Sequence, residues 1–195
     1  METDAVAAKE HVHLLIQSSS EQITLLEHIL ELLREDHVLV LDSKRQALNA
    51  EQIVNEVISS FGSQAKEKNI SLEKQVSYKG TINVQPELFK QVLKNLVSNA
   101  IKFSYSNATV QIQVSQRGEK ILIEVVDTGM GFDTKIADQL FDRFTKKGRK
   151  GTSGEASTGM GLYLSRRIIN HHNGNLVALS AGPEQGSTFT ISLLR

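Results

Sequence analysis

The sequence predicts an α+β protein: a two-layer α/β sandwich with a mixed, mainly antiparallel sheet, preceded by a long N-terminal helix. Two observations carry that expectation. Helical and strand patterns alternate along the chain, yet several strands are joined by hairpins, which argues against a doubly wound parallel sheet. The 195 residues are 39% hydrophobic and 23% charged, a globular balance with room for one ordinary domain plus an appendage.

The charge and residue counts exclude several function classes. Lys+Arg and Asp+Glu balance at 22 each, so no global field draws the chain to nucleic acid or an anionic membrane. With no cysteine, disulfides, thiolate zinc sites and cysteine nucleophiles are out. The first residues, "METDAVAAKEHVHLL", lack the basic start and long apolar run of a secretory signal. No stretch approaches the roughly 18 apolar residues of a spanning helix.

Residues 5–36 read as one long helix. Val12, Ser19, Leu26 and Leu33 recur every seven residues, as do Ile16, Ile23, Leu30 and His37, the d and a positions of a heptad pattern. Leu15, Leu25, Ile29 and Leu32 widen that stripe, so the helix either packs on its own domain or dimerises or joins a bundle. The expected division is 1–37 long helix, 38–49 connector and 50–195 globular domain.

Asn49 is the expected N-cap of a second helix carrying Ile53, Val54, Val57, Ile58 and Phe61 on one face. "ISLEKQVSY" (70–78) and "GTINV" (80–84) read as strands with a tight connection. Pro86 opens a helix through Phe89, Val92, Leu93, Leu96, Val97 and Ile101. "ATVQIQVSQ" and "KILIEVVD", separated by "RGE", form a hairpin with Val110, Ile112 and Val114 on one face. Seven of the thirteen glycines then fall between Gly129 and Gly161, beside the basic cluster Lys146, Lys147, Arg149 and Lys150. A helix resumes at about Gly161, Gly174 stops it, and two strands close the chain.

Three constellations carry chemistry. Asn95, Asn99 and Lys102 lie at i, i+4 and i+7, one polar stripe on an otherwise apolar helix. Asparagine oxygens suit a hard cation such as Mg²⁺, and lysine suits phosphate oxygens, although an exposed polar face would read the same way. "DTGMGF" (127–132) ends a strand, where Asp127 can accept from an exocyclic amine and Gly129 and Gly131 let backbone approach a ligand closely. A tight strand-to-helix turn would also account for it. "STGMGLYLSRR" (157–167) runs a glycine pair into a helix N-terminus, where free N–H groups bind phosphate. Neither pair fits the Walker or dinucleotide spacing.

Taken in order, these motifs resemble the catalytic ATP-binding domain of sensor histidine kinases, within the superfamily that includes gyrase B, Hsp90 and MutL. "KNLVSNAIKF" is similar to the family's N box, "DTGMGF" to its G1 box, "FDRF" (141–144) to its F box, "STGMGL" to its G2 box and "GSTFTISL" to its final strand. The resemblance spans about residues 50–195 and implies a Bergerat-type ATP-binding fold with ATP and Mg²⁺ as cofactors. It implies that Asn99 holds Mg²⁺, with Asn95 and Lys102 on phosphate oxygens. Asp127 reads the adenine amino group, with Gly129 and Gly131 close by, Gly131 beneath the base, and Phe103 lining the pocket. The resemblance further implies that residues 145–158, including Lys146 and Thr158, form an ATP lid rooted by Phe141 and Phe144, that Gly159, Gly161 and Leu162 hold phosphates, and that Thr188 completes the adenine water network.

The resemblance also implies partners: a phosphoacceptor histidine domain, a response-regulator receiver domain and a second copy paired through the N-terminal helix, with no nucleic acid. It implies a cytoplasmic location, as a free chain or the cytoplasmic part of a membrane-anchored sensor. Two departures stand out. Ser157 replaces the usual first glycine of the G2 box, and none of the six histidines is followed by the acid of the family's acceptor motif. Residues 5–36 resemble the second helix of the dimerisation hairpin, so the acceptor is expected outside a recognisable motif here. Asn95 stands where hydrolysing relatives carry a general-base glutamate. Because an amide takes no proton and imidazole needs little activation, phosphoryl transfer to histidine is favoured over hydrolysis. A non-catalytic, nucleotide-responsive or partner-binding module is the alternative.

Overall fold

The structure, a computed structural model, describes residues 44–143, 150–155, 157 and 159–195. The long helix expected over residues 5–36 lies outside the described residues.

Strand β1 (Gln46–Asn49) leads into helix α1 (Ala50–Ser60) and the short α2 (Gly62–Glu67). Strands β2 (Ser71–Val76) and β3 (Thr81–Val84) precede the 18-residue helix α3 (Pro86–Phe103). The hairpin β4 (Thr109–Arg117) and β5 (Lys120–Asp127) leads to two 3-10 turns, Thr134–Ile136 and Asp138–Phe141. Helix α4 (Gly161–His171) and strands β6 (Asn175–Leu179) and β7 (Ser187–Leu194) complete the chain.

The main sheet has the order β2-β4-β5-β7-β6, with β2 parallel to β4 and every other pair antiparallel. It is therefore mixed and mainly antiparallel, as expected. Its helix-facing side is a continuous apolar layer: Val110, Ile112 and Val114 on β4, Ile121, Ile123 and Val125 on β5, and Phe189, Ile191 and Leu193 on β7 are all buried. The intervening positions, such as Gln111, Glu124 and Thr190, stay partly exposed, as in an antiparallel sheet with one solvated face. Helix α3 covers the apolar side with Phe89, Val92, Leu93, Leu96, Val97 and Ile101, the face read from the sequence.

The helix starts follow their chemistry. Asn49 caps α1 by accepting from Gln52 N–H at 3.0 Å, and Pro86 sits in the first turn of α3. Three local expectations are corrected. The connector 38–49 ends in a strand, β1, antiparallel to β3 in a separate two-stranded sheet. The strands around Gly80 accordingly part, β2 joining the main sheet and β3 joining β1. At the end of α4 the left-handed residue is Asn173 (φ 58°), not Gly174. Gly174 is needed for space instead, because a Cβ there would lie 2.7 Å from the Ser192 carbonyl oxygen.

Candidate functional site

Helix α3 delivers Asn95, Asn99 and Lys102 to one face, each half-buried, at the edge of the apolar layer. The Asn95 amide donates to the hydroxyl of Ser165 on α4 at 2.9 Å. Its other atoms lie against the start of α4, where a Cβ on Gly161 would come within 2.9 Å of Asn95 Cγ. The second glycine of the G2 box thus gives the α3 amide room to meet the N-terminus of α4. Gly159 has φ 72°, a left-handed turn that suits glycine. Among the described residues no side chain caps α4, and an uncapped helix N-terminus can bind an anion through its first N–H groups. Leu162, half-buried, belongs to that first turn.

Asn99 lies one turn beyond Asn95, and among the described residues its amide has no hydrogen-bond partner. Lys102 follows at the helix end, with Nζ 5.4 Å from the centre of the half-buried Phe103 ring. Partial burial lowers the Lys102 pKa and Lys68 lowers it further, while the carboxylate of Glu155 opposes both.

Strand β5 ends in Asp127, which is 5% exposed. One carboxylate oxygen accepts from Gly129 N–H at 2.9 Å and Ser187 N–H at 3.2 Å; the other accepts from the Ser187 hydroxyl. Burial raises the Asp127 pKa, and the bonds from Ser187 and Gly129 work against that rise. These bonds hold the carboxylate in a fixed orientation with acceptor capacity to spare.

The register identifies the residue beside Asp127 as Ser187, its direct partner in the β5–β7 ladder. Thr188, the residue expected to serve the base, pairs with Val126 and so belongs to the opposite face of the sheet. The alternation Phe189, Ile191, Leu193 already put Ser187 in phase with the buried face. Ser165 lies within the quoted stretch 157–167, but nothing in its spacing assigned it a role.

The glycines of "DTGMGF" are pressed against protein. A Cβ on Gly129 would lie 2.8 Å from the Phe103 carbonyl carbon, and Met130 N–H donates to that carbonyl at 3.0 Å. Gly131, expected beneath a bound base, has φ 52°, and its Cβ would meet Ser180 Oγ at 2.8 Å. Both glycines let the end of β5 nest between α3 and the β6–β7 loop, a close approach of backbone to backbone. Phe141 of "FDRF" is buried, with the Arg166 guanidinium 4.3 Å from its ring centre. Phe144, Lys146 and Thr158 lie outside the described residues.

Comparison with known proteins gives a consistent result. Residues 84–195 match the family described as histidine kinase-, DNA gyrase B-, and HSP90-like ATPase. The signal transduction histidine-protein kinase AtoS of Escherichia coli (strain K12) is 31% identical over 187 residues, covering 95% of this chain and 29% of AtoS. Among the other curated relatives compared, the chain spans between 12% and 41% of their length. Full-length ShkA in complex with AMPPNP has a similar fold, with TM-score 0.71 at 21% identity over 85% of this chain and 35% of that one. Histidine kinase ThkA in complex with response regulator protein TrrA gives TM-score 0.69 at 20% identity over 90% of this chain and 48% of that one.

Proposed function

The chain belongs to the family of histidine kinase-, DNA gyrase B-, and HSP90-like ATPases, as a histidine kinase ATP-binding domain, and on that premise we propose that it binds Mg–ATP and passes the γ-phosphoryl group to a histidine. The observation that carries this reading is the convergence of a half-buried amide and lysine stripe on α3, a buried, oriented carboxylate at the end of β5 and an uncapped helix start at α4. Asp127 accepts the adenine amino group through the lone pairs that Ser187 and Gly129 leave over. Asn99 supplies the oxygen for magnesium; without a hydrogen-bond partner among the described residues, its amide fits a hard cation that takes few protein ligands. Magnesium, when bound, draws charge from the phosphate oxygens. Lys102 and the N-terminus of α4 orient the same phosphates.

In transfer, an imidazole nitrogen forms a bond to the γ-phosphorus as the bond to the β–γ bridging oxygen breaks, and ADP leaves with that electron pair. Asn95 takes no proton; tied to Ser165, it is a positioned amide dipole. The acceptor is a histidine domain outside the recognisable motifs of this chain, and relay to a response-regulator aspartate follows; the structure of ThkA in complex with response regulator protein TrrA supports that kind of partner. A second copy, paired through residues 1–37, is the further partner of this reading.

The test is phosphoryl transfer from γ-labelled ATP to an added histidine acceptor domain. An acid-labile, base-stable product supports the reading. The second reading, a nucleotide-responsive module without transfer, is favoured by the absence of a histidine followed by an acid. Nucleotide binding with no labelled acceptor would select it.

A further inference from the structure

Residues 151–155 form a turn closed on itself: Gly151 N–H donates to the Glu155 carbonyl and Gly154 N–H to the Gly151 carbonyl, both at 2.9 Å, and Ser153 N–H reaches Glu155 Oε2 at 2.8 Å. The turn is seated on the end of α3. Thr152 N–H donates to the Lys102 carbonyl at 3.1 Å, and the Thr152 hydroxyl donates to the Ser104 carbonyl at 2.5 Å. A third element then closes over it. Lys68, at the C-terminus of α2, gives its ammonium to Glu155 Oε1 at 2.8 Å and to the same Lys102 carbonyl at 2.7 Å.

This pair differs from an ordinary surface contact. The Lys68 side chain is 12% exposed, so removing the Glu155 carboxylate leaves a shielded ammonium whose one remaining partner among the described residues is the Lys102 carbonyl. Lys68 and Lys102 also oppose one another electrostatically, and Glu155 offsets that repulsion. The turn packs directly on the Lys102 stem, because a Cβ on buried Gly151 would lie 2.7 Å from Lys102 Cγ. Three segments distant in sequence thus meet at one lysine.

We propose that Lys68 and Glu155 are positioning residues for the phosphate site: their ion pair clasps the 151–155 turn onto the end of α3, and the clasped turn holds Lys102 toward the nucleotide phosphates. This rests on the nucleotide-binding reading above. An ordered seat lowers the ordering cost that binding would otherwise carry.

The test uses the full chain with Lys68→Met, Glu155→Gln, both together, and Lys68→Arg, which keeps the pair. The first readout needs no nucleotide: trypsin cleavage after the exposed Lys150, next to buried Gly151, located by mass spectrometry. Each disrupting variant is expected to be cut there about fivefold faster while still melting cooperatively, the double variant no faster than either single, and Lys68→Arg at the wild-type rate. The second readout is affinity for Mg–ADP beside adenosine. Mg–ADP should weaken about three- to tenfold in each single variant with no further loss in the double, while adenosine, without phosphates, is unaffected.

Wild-type cleavage in the single variants, additive losses in the double, or equal losses for adenosine and Mg–ADP would overturn the clasp. A wild-type chain that binds no nucleotide would instead overturn the nucleotide reading, and cleavage after Lys150 would still decide the clasp.

Discussion

Asp127 keeps its carboxylate in a place that resists charge. It is buried, and its folded pKa lies above the ordinary carboxylate value, chiefly from desolvation. The protonated form is therefore favoured more in the folded than in the unfolded chain. Its stabilising effect is present below the unfolded pKa and is lost as pH rises through the folded one. Asp127→Asn is isosteric and can still accept from Gly129 and Ser187, so the melting temperature at pH 7 should hold or rise. Nucleotide affinity should fall at least about tenfold, about 1.4 kcal/mol, by calorimetry. Asn99→Ala should leave magnesium-free binding intact and abolish the gain that magnesium gives. At this scale most of the candidate site was legible in the sequence, because residues fixed by helical spacing or by a strand end can be counted along the chain. Ser187, Ser165, Lys68 and Glu155 were not found that way. Each acts through a partner at least 60 positions distant, as in Ser187 with Asp127 and Lys68 with Glu155.

Elements meet here at glycines and at one histidine. Gly161→Ala would push a methyl group into Asn95 and separate α3 from α4, at a cost of about 1–3 kcal/mol by chemical denaturation. Nucleotide affinity should fall with it. His172, at the end of α4, is buried and bonded on both ring nitrogens. Its Nε2 faces the Gln85 N–H at 2.9 Å, an obligatory donor, so Nε2 accepts and Nδ1–H donates to the Ile168 carbonyl at 2.7 Å. The ring is thus neutral, joining the end of α4 to the start of α3. Burial lowers its pKa, with Arg45 and His171 adding to that and the Ile168 bond opposing. The depressed pKa makes the stabilisation complete above the unfolded value of about 6.5 and lost as pH falls through the folded value. Melting temperature should decline below about pH 6.5, and His172→Phe should flatten that arm of the profile. The long periodic helices and the hairpin were legible because each carries its own pattern. Strand β1 was not, since "QALN" has no alternation and forms only by pairing with β3.

At the scale of the whole molecule, a one-sided sheet buries its apolar face under α1, α3 and α4 and gathers three chemically different ends beside them: the stripe of α3, the tip of β5 and the start of α4. Order and spacing of the boxes revealed that gathering. The connection between sheets did not, because β2 and β3 are neighbours in sequence and partners of different strands in space. Among the described residues no helix is long and apolar enough to cross a membrane. Calorimetric titration with Mg–ADP and a non-hydrolysable ATP analogue decides whether this domain holds a working nucleotide site. Binding in the micromolar to sub-millimolar range, about −5 to −8 kcal/mol, is expected. No heat of binding from a chain that melts cooperatively would contradict it.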